Sequence, residues 1–592
     1  MKINKIYQYL ASAALVLAMP ACTDSFLDQN PDERVNVSTE EQVLSLMTTA
    51  YSNTNYGWMC ELSSDNMIDN NSPHVPANEA NGNTESYYNL SSYERMDDEA
   101  FRFDPIKSST GSDSPSEIWG DAYRAIATAN HALEFIEQIA ETNGKGMTPK
   151  LKAARAEALL VRAYHHFVLV NIFSMAYRDD EQSMKDKGIP YITKPEKTVY
   201  VHEERGTVTE VYNKIKADLE EGLKDVTDAY YEMPKWRFNV AAAHAFAARF
   251  YLFHHEYEKC VEHANAVLGS ERDESILTHL MHYKDFDDIT GSSEYAHYWQ
   301  SASLNNNLLL IATNSRSWRR FTGYRYAING VPMREINYRR DSSRMPTSSW
   351  TIVPAASVSG GTYYRSNSDY GYMWAKVGEQ FEYTDKVAGI GYAHVIRREF
   401  TGNLLLLERA EAELMLAVKT GEDKYRDNCF QDLYWFEESR HQFSEANTKK
   451  YFGANGTSLQ SLTVDMVEKT YFNNKNNVNC KFDWNTCFQR MSTGYSMTDA
   501  LAPYMNVIND YRRWETSYEG HRFFDLKRWG IEYSHVVGYE KTEYKLTWND
   551  PRRAFELPQE VIAAGLEQTR PVISATNAPA TLDTSCQWNT EK

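Results

Sequence analysis

Apolar residues recur at three- and four-residue steps over much of the chain, the signature of amphipathic helices. One stretch goes further. From Leu151 to Phe173 (LKAARAEALLVRAYHHFVLVNIF) almost every side is apolar, and between Leu159 and Phe173 only Arg162, Tyr164, His165, His166 and Asn171 carry polar groups. Pro149 stands just ahead, where proline suits a helix start. A helix apolar all round is enclosed by other helices, so this stretch is predicted to be the hub of a mainly helical domain. Its internal basic and His residues make it a poor membrane span. Around it the pattern predicts a helix opened by Ser38-Thr39-Glu40-Glu41, whose hydroxyls and early acids suit an N-terminus. Further helices are predicted over Ser116–Ile139, Val208–Leu223, Val240–Phe253, Tyr257–Leu268, Asn403–Lys419 and about Met497–Trp514.

The helical period is lost twice. Asn53–Ser114 is rich in Asn, Ser and Asp, with Tyr56, Trp58, Asp65, Tyr88 and Tyr93 among them. From about Gly269 to Thr401, Trp299, Trp318, Trp350, Tyr364 and other aromatics alternate with Arg316, Arg319, Arg320, Arg325 and Arg365. Irregular stretches this long are functional or mobile rather than passive connections. Both are candidate binding surfaces. Serial helix pairs with alanine at the contacts resemble tetratricopeptide-type packing. The expected fold is therefore mainly α: a tetratricopeptide-like helical repeat scaffold over about 38–268 and 403–530, carrying a loop-rich, aromatic-rich insertion over about 269–402. The whole of 38–592 reads as one domain.

Composition narrows the function. A net charge of -19 argues against nucleic acid, since phosphate binding needs clustered Lys and Arg. Forty Tyr, 24 Phe and 13 Trp are a surplus of rings, which fill cores but also make flat platforms with a polar handle. The N-terminus reads as a targeting segment. Lys2 and Lys5 precede a short apolar run from Tyr9 to Met19, ending at Pro20-Ala21-Cys22. A small residue before Cys at that place resembles a bacterial lipobox, so residues 1–22 are expected to be a signal peptide ending in a lipidated Cys22, and 23–37 a tether. The chain would then be anchored by lipid without crossing the membrane. The remaining cysteines, Cys60, Cys260, Cys429, Cys480, Cys487 and Cys586, are an even number in an exported chain and permit disulfides without fixing their pairing.

Catalytic signatures are missing: the chain has no HExxH, GxSxG, P-loop or dinucleotide fingerprint. His165-His166 and His254-His255 lie on apolar helices and read as packing groups, so no metal and no cofactor is expected.

Near the C-terminus the chain reads Glu519-Gly-His-Arg-Phe-Phe-Asp-Leu-Lys-Arg-Trp529. This closely resembles the signature of the SusD/RagB family of Bacteroidetes outer-membrane lipoproteins. Cys22 with Phe26-Leu27-Asp28, Trp119 through Asn130, AEALLVRAYHHFVLV, Val211-Tyr212 with Asp218-Leu219, LLLLERAEAEL and Phe555-Glu-Leu-Pro558 resemble other family segments in the same order. The family's usual ending is missing, and the middle of the chain follows no family pattern. The resemblance implies a non-catalytic surface protein, lipid-anchored at the outer membrane, that captures a glycan and passes it to a SusC-like TonB-dependent transporter. Peptide capture on the same scaffold is the alternative, and a surface glycoside hydrolase with paired carboxylates the third reading. Sugar rings stack on aromatic faces while their hydroxyls need polar partners. The candidate ligand contacts are Trp58, Asp65, Tyr88, Trp299, Trp318, Tyr364 and Arg365. Within the signature, Glu519, Arg522, Asp525 and Arg528 are expected to form a partly buried structural charge network over Phe523, Phe524 and Trp529, because carboxylates flanked by arginines have depressed pKa values.

Overall fold

A computed structural model describes residues 37–73, 89–195, 204–440 and 461–570, with short gaps in the last two spans and a longer one at 337–361. The expected signal peptide, lipidated Cys22 and most of the tether lie outside the described residues. The principal helices are α1 (Glu40–Met47), α2 (Pro115–Thr142), α3 (Pro149–Phe173), α4 (Val208–Gly222), α5 (Val240–Phe253), α6 (Tyr257–Leu268), α7 (Gly402–Thr420), α8 (Asp423–Glu438), α9 (Ala502–Glu515) and α10 (His521–Arg528). The fold is mainly α, as the periodicity predicts. Consecutive helices pack on one another: α2 on α3, α3 on α4, α5 on α6, and α7 on both α6 and α8. Among the described residues no helix is long and apolar enough to cross a membrane.

The hub is α3. Thr148 caps it by accepting from the Leu151 N–H, with Pro149 in the first turn. Its polar residues survive burial by pairing, as buried charge must. Glu157, fully buried, accepts from Arg237 and from the Tyr51 hydroxyl at 2.7 Å. Arg162 grips Asp218 through two hydrogen bonds of 2.7 Å. His165 and His166 each hold a backbone N–H on Nε2, from Ser52 and Ile192, and burial lowers them to about 4 and about 3, so both are neutral packing groups.

The middle of the chain departs from expectation. Part of what reads as loop is a three-stranded antiparallel sheet: β2 (Asn307–Thr313), β7 (Ile390–Thr401) and β6 (Glu379–Asp385), with β7 central. A hairpin, β4 (Thr362–Arg365) with β5 (Ser368–Tyr372), and a two-residue ladder, β1 (Ile68–Asp69) with β3 (Tyr326–Ala327), accompany it. β7 hides from sequence reading because its buried half carries Arg397-Arg398-Glu399 where a strand signal calls for apolar residues. Those charges are paired instead: Arg397 with Glu399 at 2.8 Å, and Arg398 with Glu519 at 2.7 Å.

The signature network forms, but mostly through partners elsewhere in the chain. The helix breaks after Glu515, and Gly520, at φ +83°, restarts it as α10. Glu519 therefore sits off the helix and meets Arg398 and Lys376. Arg522 pairs with Asp65 at 2.7 Å, and Arg528 with Glu411. Asp525 joins Arg512 and Arg528 at 2.9 and 2.8 Å. Burial alone would raise the Asp525 and Glu519 carboxyls; the arginines around them outweigh it and hold both below the usual range. A short hairpin, β8 (Tyr533–Val537) with β9 (Thr542–Leu546), follows α10, and a one-turn helix, Gln559–Ala563, comes after it. Cys60, Cys260, Cys429 and Cys480 are buried free thiols, and Cys487 is disulfide-bonded.

Candidate functional site

An open cleft of ≈ 580 Å³ lies where the end of β2 meets the β6–β7 hairpin. Its walls come from three places. Asn53 and Ser112 belong to the first irregular stretch; Asn314, Arg316 and Arg319 follow β2; Glu379, Glu382, Tyr392 and His394 stand on the hairpin. The floor is fixed by backbone bonds. The Asn314 N–H donates to the Asn53 carbonyl at 2.7 Å, and the Arg316 N–H to the Asp113 carboxylate at 2.8 Å.

The short helix Ser317–Phe321 carries the cationic side. Arg320 points inward, about 1% exposed, and reaches Asp97, Asp113 and Glu94 at 3.2, 3.3 and 3.1 Å, with Tyr93 over its guanidinium. Beneath it, Phe321 meets the Trp58 ring edge-on at 4.9 Å. This burial turns Arg316 and Arg319 outward. Arg319 makes two hydrogen bonds to Glu379, of 2.8 and 2.6 Å, and so ties the helix to the hairpin. Arg316 remains more than half exposed, its nearest acid Glu94 at 3.9 Å.

Strand alternation sorts the hairpin's side chains. Glu382 and Tyr392 are cross-strand partners, and the Tyr392 hydroxyl donates to the Glu382 carboxylate at 2.8 Å. Phe381 and Tyr383 point the other way, both about half exposed, their rings edge-on at 4.8 Å. Phe381 lies across Gly391, where an added Cβ would come within 2.7 Å of its ring. Tyr93, Phe381, Tyr383 and Tyr392 are all exposed large rings. The site therefore offers amide, guanidinium, phenol and carboxylate groups in the cleft, with Tyr392 the exposed ring among its lining residues. That set suits a ligand rich in hydroxyls and does not by itself make a nucleophile–base pair. Among the described residues no three metal-ligating side chains gather.

Of the residues singled out from sequence, four have described side chains, and these lie outside the cleft lining. Trp58 is buried, and its indole N–H donates to Asp97 at 2.8 Å. Trp299 is buried beside Tyr283, 6.3 Å between ring centres. Neither offers a face to a ligand: Trp58 lies on a short helix, Gly57–Leu62, and Trp299 ends another, Ser292–Trp299, and each ring gains most by leaving water. Asp65 serves Arg522. Trp318 is half-buried on the Ser317–Phe321 helix, next to Arg319. Tyr88 lies outside the described residues; Tyr364 and Arg365 are placed only as β4 backbone, opposite Asp369 and Ser368. Trp58, Asp65, Trp299 and Trp318 are not among the residues that line the cleft. Reading missed Tyr392, Glu379 and Glu382; the alternation in EQFEYTD and IGYAHV was the available signal.

Residues 25–252 match the family model described as starch-binding associating with outer membrane, and residues 489–560 match that of the SusD family. No curated protein matches the chain. Among solved structures it is similar to a SusD superfamily protein from Bacteroides thetaiotaomicron, at 16% identity and TM-score 0.57, covering 90% of this chain and 100% of that one. A SusD-like carbohydrate binding protein from Bacteroides vulgatus gives 14% identity, TM-score 0.52 and coverage of 91% and 99%. A SusD superfamily protein from Bacteroides fragilis gives 14%, TM-score 0.52 and coverage of 89% and 97%.

Proposed function

We propose, since the chain belongs to the SusD/RagB family, that it is a surface glycan-binding protein whose ligand enters the cleft between β2 and the β6–β7 hairpin. The carrying observation is the cleft itself: exposed Arg316, Arg319 and Asn314 converge there with the exposed ring of Tyr392. A sugar's hydroxyls need such partners, and its apolar faces need such a ring. The cleft is open rather than enclosed, which suits a stretch of a longer glycan. Binding without turnover is the expected activity. Lipid attachment at Cys22 at the outer membrane, and delivery to a SusC-like TonB-dependent transporter, complete the proposal; both come from the family resemblance and the N-terminal sequence. Peptide capture on the same scaffold is the second reading, favoured by Arg316, whose guanidinium is open to a carboxylate.

The test is isothermal titration of the chain from Thr23 onward against polysaccharides, oligosaccharides and peptides, with product analysis alongside. The expected result is one glycan bound and recovered intact, with Arg319→Ala plus Tyr392→Ala weakening it ~10-fold or more. Glycan binding unmoved by that pair of changes would remove the ligand from this cleft. Peptide binding with silence across the glycans would replace the glycan reading.

A further inference from the structure

A second cavity, of ≈ 390 Å³, shares no residue with the cleft. It opens where the chain leaves the C-terminus of α3, against α10 and the segment after β9. Arg178, Lys185, Lys187, Lys527 and Arg553 line it, against one carboxylate, Asp186. Asp186 is taken by Arg178 at 2.8 Å, and Lys187 leans outward to the exposed Glu567. That leaves the two deepest cations, Lys527 and Arg553, without a carboxylate from the cavity wall.

Lys527 is 3% exposed and Arg553 1%. Lys527 donates to the carbonyls of Asn171 and Ser174 at 2.5 and 2.8 Å, two of an ammonium's three donors. Arg553 donates to the carbonyls of Thr547, Leu526 and Ile531. Among the described residues neither forms an ion pair with a carboxylate. Carbonyl dipoles satisfy hydrogen-bonding groups but do not cancel net charge, and buried charge persists where something opposite compensates it. Burial, with Arg553 and Arg570 adding to it, pushes the Lys527 ammonium down to about 7. Glu532 and Asp550, both buried, favour the Arg553 charge from nearby without pairing with it; the cavity wall itself holds five cations against one carboxylate, in a chain whose overall charge is -19.

We propose that this cavity is an anion-binding site, which takes a small oxyanion group (carboxylate, sulfate or phosphate) between the buried Lys527 and Arg553 and the outer cations Arg178, Lys185 and Lys187. Trp548, with the Arg178 guanidinium 5.9 Å from its ring centre, forms the wall against which the body of a larger ligand would lie. An oxyanion there restores charge balance at α10, the helix of the signature, so its binding also tightens the fold.

The experiment uses the full chain at constant ionic strength, set with sodium chloride. Titration calorimetry and thermal melts are run with sodium sulfate, inorganic phosphate, glucuronate and, as the uncharged control, glucose. Saturable binding and a raised Tm are expected from at least one oxyanion and from no glucose. Lys527→Met would test the site but risks the fold, so Arg178→Gln with Lys187→Gln is the working variant, both side chains being partly exposed. It should keep the melting cooperativity, weaken the oxyanion ~10-fold or more, and leave glycan binding in the outer cleft unchanged. Glucuronate preferred over sulfate and phosphate assigns a carboxylated organic ligand; the reverse assigns a free inorganic anion. No saturable binding by any of the three, or an affinity indifferent to the double variant, overturns the proposal.

Discussion

Replacing Arg320 by leucine tests whether the cleft rests on buried charge. The guanidinium is the cation shared by Asp97 and Asp113, both no more than about 1% exposed, and it also reaches Glu94. Burial already pushes the Asp97 carboxyl up to about 6, against the opposing pull of Arg320 and the Trp58 N–H. Its folded value thus lies above the ordinary 3.8, so the folded chain holds a proton that the unfolded chain releases. The stability linked to Asp97 is full below pH 3.8 and is lost as pH rises through about 6, a span corresponding to about 3 kcal/mol. Removing Arg320 takes away the largest force holding that value down, so the losses extend above pH 6. Breaking a buried pair by deleting one partner costs ~3–5 kcal/mol. Arg320→Leu should therefore lose about that much at pH 8 and clearly less at pH 5, where the stranded carboxylates protonate. Urea midpoints of both proteins at the two pH values measure it, with titration of the glycan as a second readout, since Arg316 and Arg319 depend on the same helix. A penalty under ~1 kcal/mol, or one equal at the two pH values, refutes the reasoning.

Three further changes probe separate links. Asp525→Asn leaves Arg512 and Arg528 facing an uncharged amide; a loss of ~3–5 kcal/mol is expected at neutral pH, read as a urea midpoint. Because the folded Asp525 carboxyl sits below its ordinary value of 3.8, that loss should shrink as pH falls below about 4. Gly520→Ala puts a Cβ at φ +83° and 2.9 Å from both the Cys60 Cβ and the Gly57 Cα, so a fall in Tm equivalent to ~1–3 kcal/mol is expected; an unchanged melt would mean the helix restart tolerates a different backbone. Trp58→Phe keeps a ring against Phe321 but removes the N–H held by Asp97. It should cost ~1–3 kcal/mol of stability while glycan affinity stays within ~3-fold, whereas a selective loss of affinity would return Trp58 to the ligand.

The helical scaffold was legible because its signal is redundant. In α3 the apolar run, the proline at the first turn and the threonine cap all agree, and α5 and α6 begin and end where the periodicity predicts. The signature helix was half legible. Its residue types announce a charge network, but spacing alone suggested mutual pairing along one helix, whereas Gly520 interrupts the helix and sends Glu519 to Arg398 and Lys376. A glycine that can adopt positive φ is a readable warning. The partners are not readable, since Asp65, Arg398 and Glu411 lie far away in sequence. β7 was illegible for the same cause: its buried Arg397, Arg398 and Glu399 mimic a surface segment until their partners are known.

The binding surface shows how ring burial divides by context. Trp58 and Trp299 looked like platforms because they sit in segments without a long period, yet each lies on a helix of only six or eight residues, too short to show one, and a large ring hidden from water contributes up to about 3 kcal/mol. The rings that stay exposed are on the β6–β7 hairpin, where period-two alternation forces a choice of face. One face must carry Glu382 and Tyr392, whose hydrogen bond closes the cleft wall; the other then carries Phe381 and Tyr383 with only Gly391 and Ala393 opposite. With no layer packed over them, these two rings remain in solvent, on the hairpin face opposite Glu382 and Tyr392. Tyr392 is the exposed ring that adjoins the convergent polar groups, and a ring beside hydrogen-bonding groups is what a sugar's two kinds of surface require. The ligand preference of this chain is therefore argued from residues 379–394 and 314–319 together, a pairing that follows from β6 adding to β7 at the edge of β2.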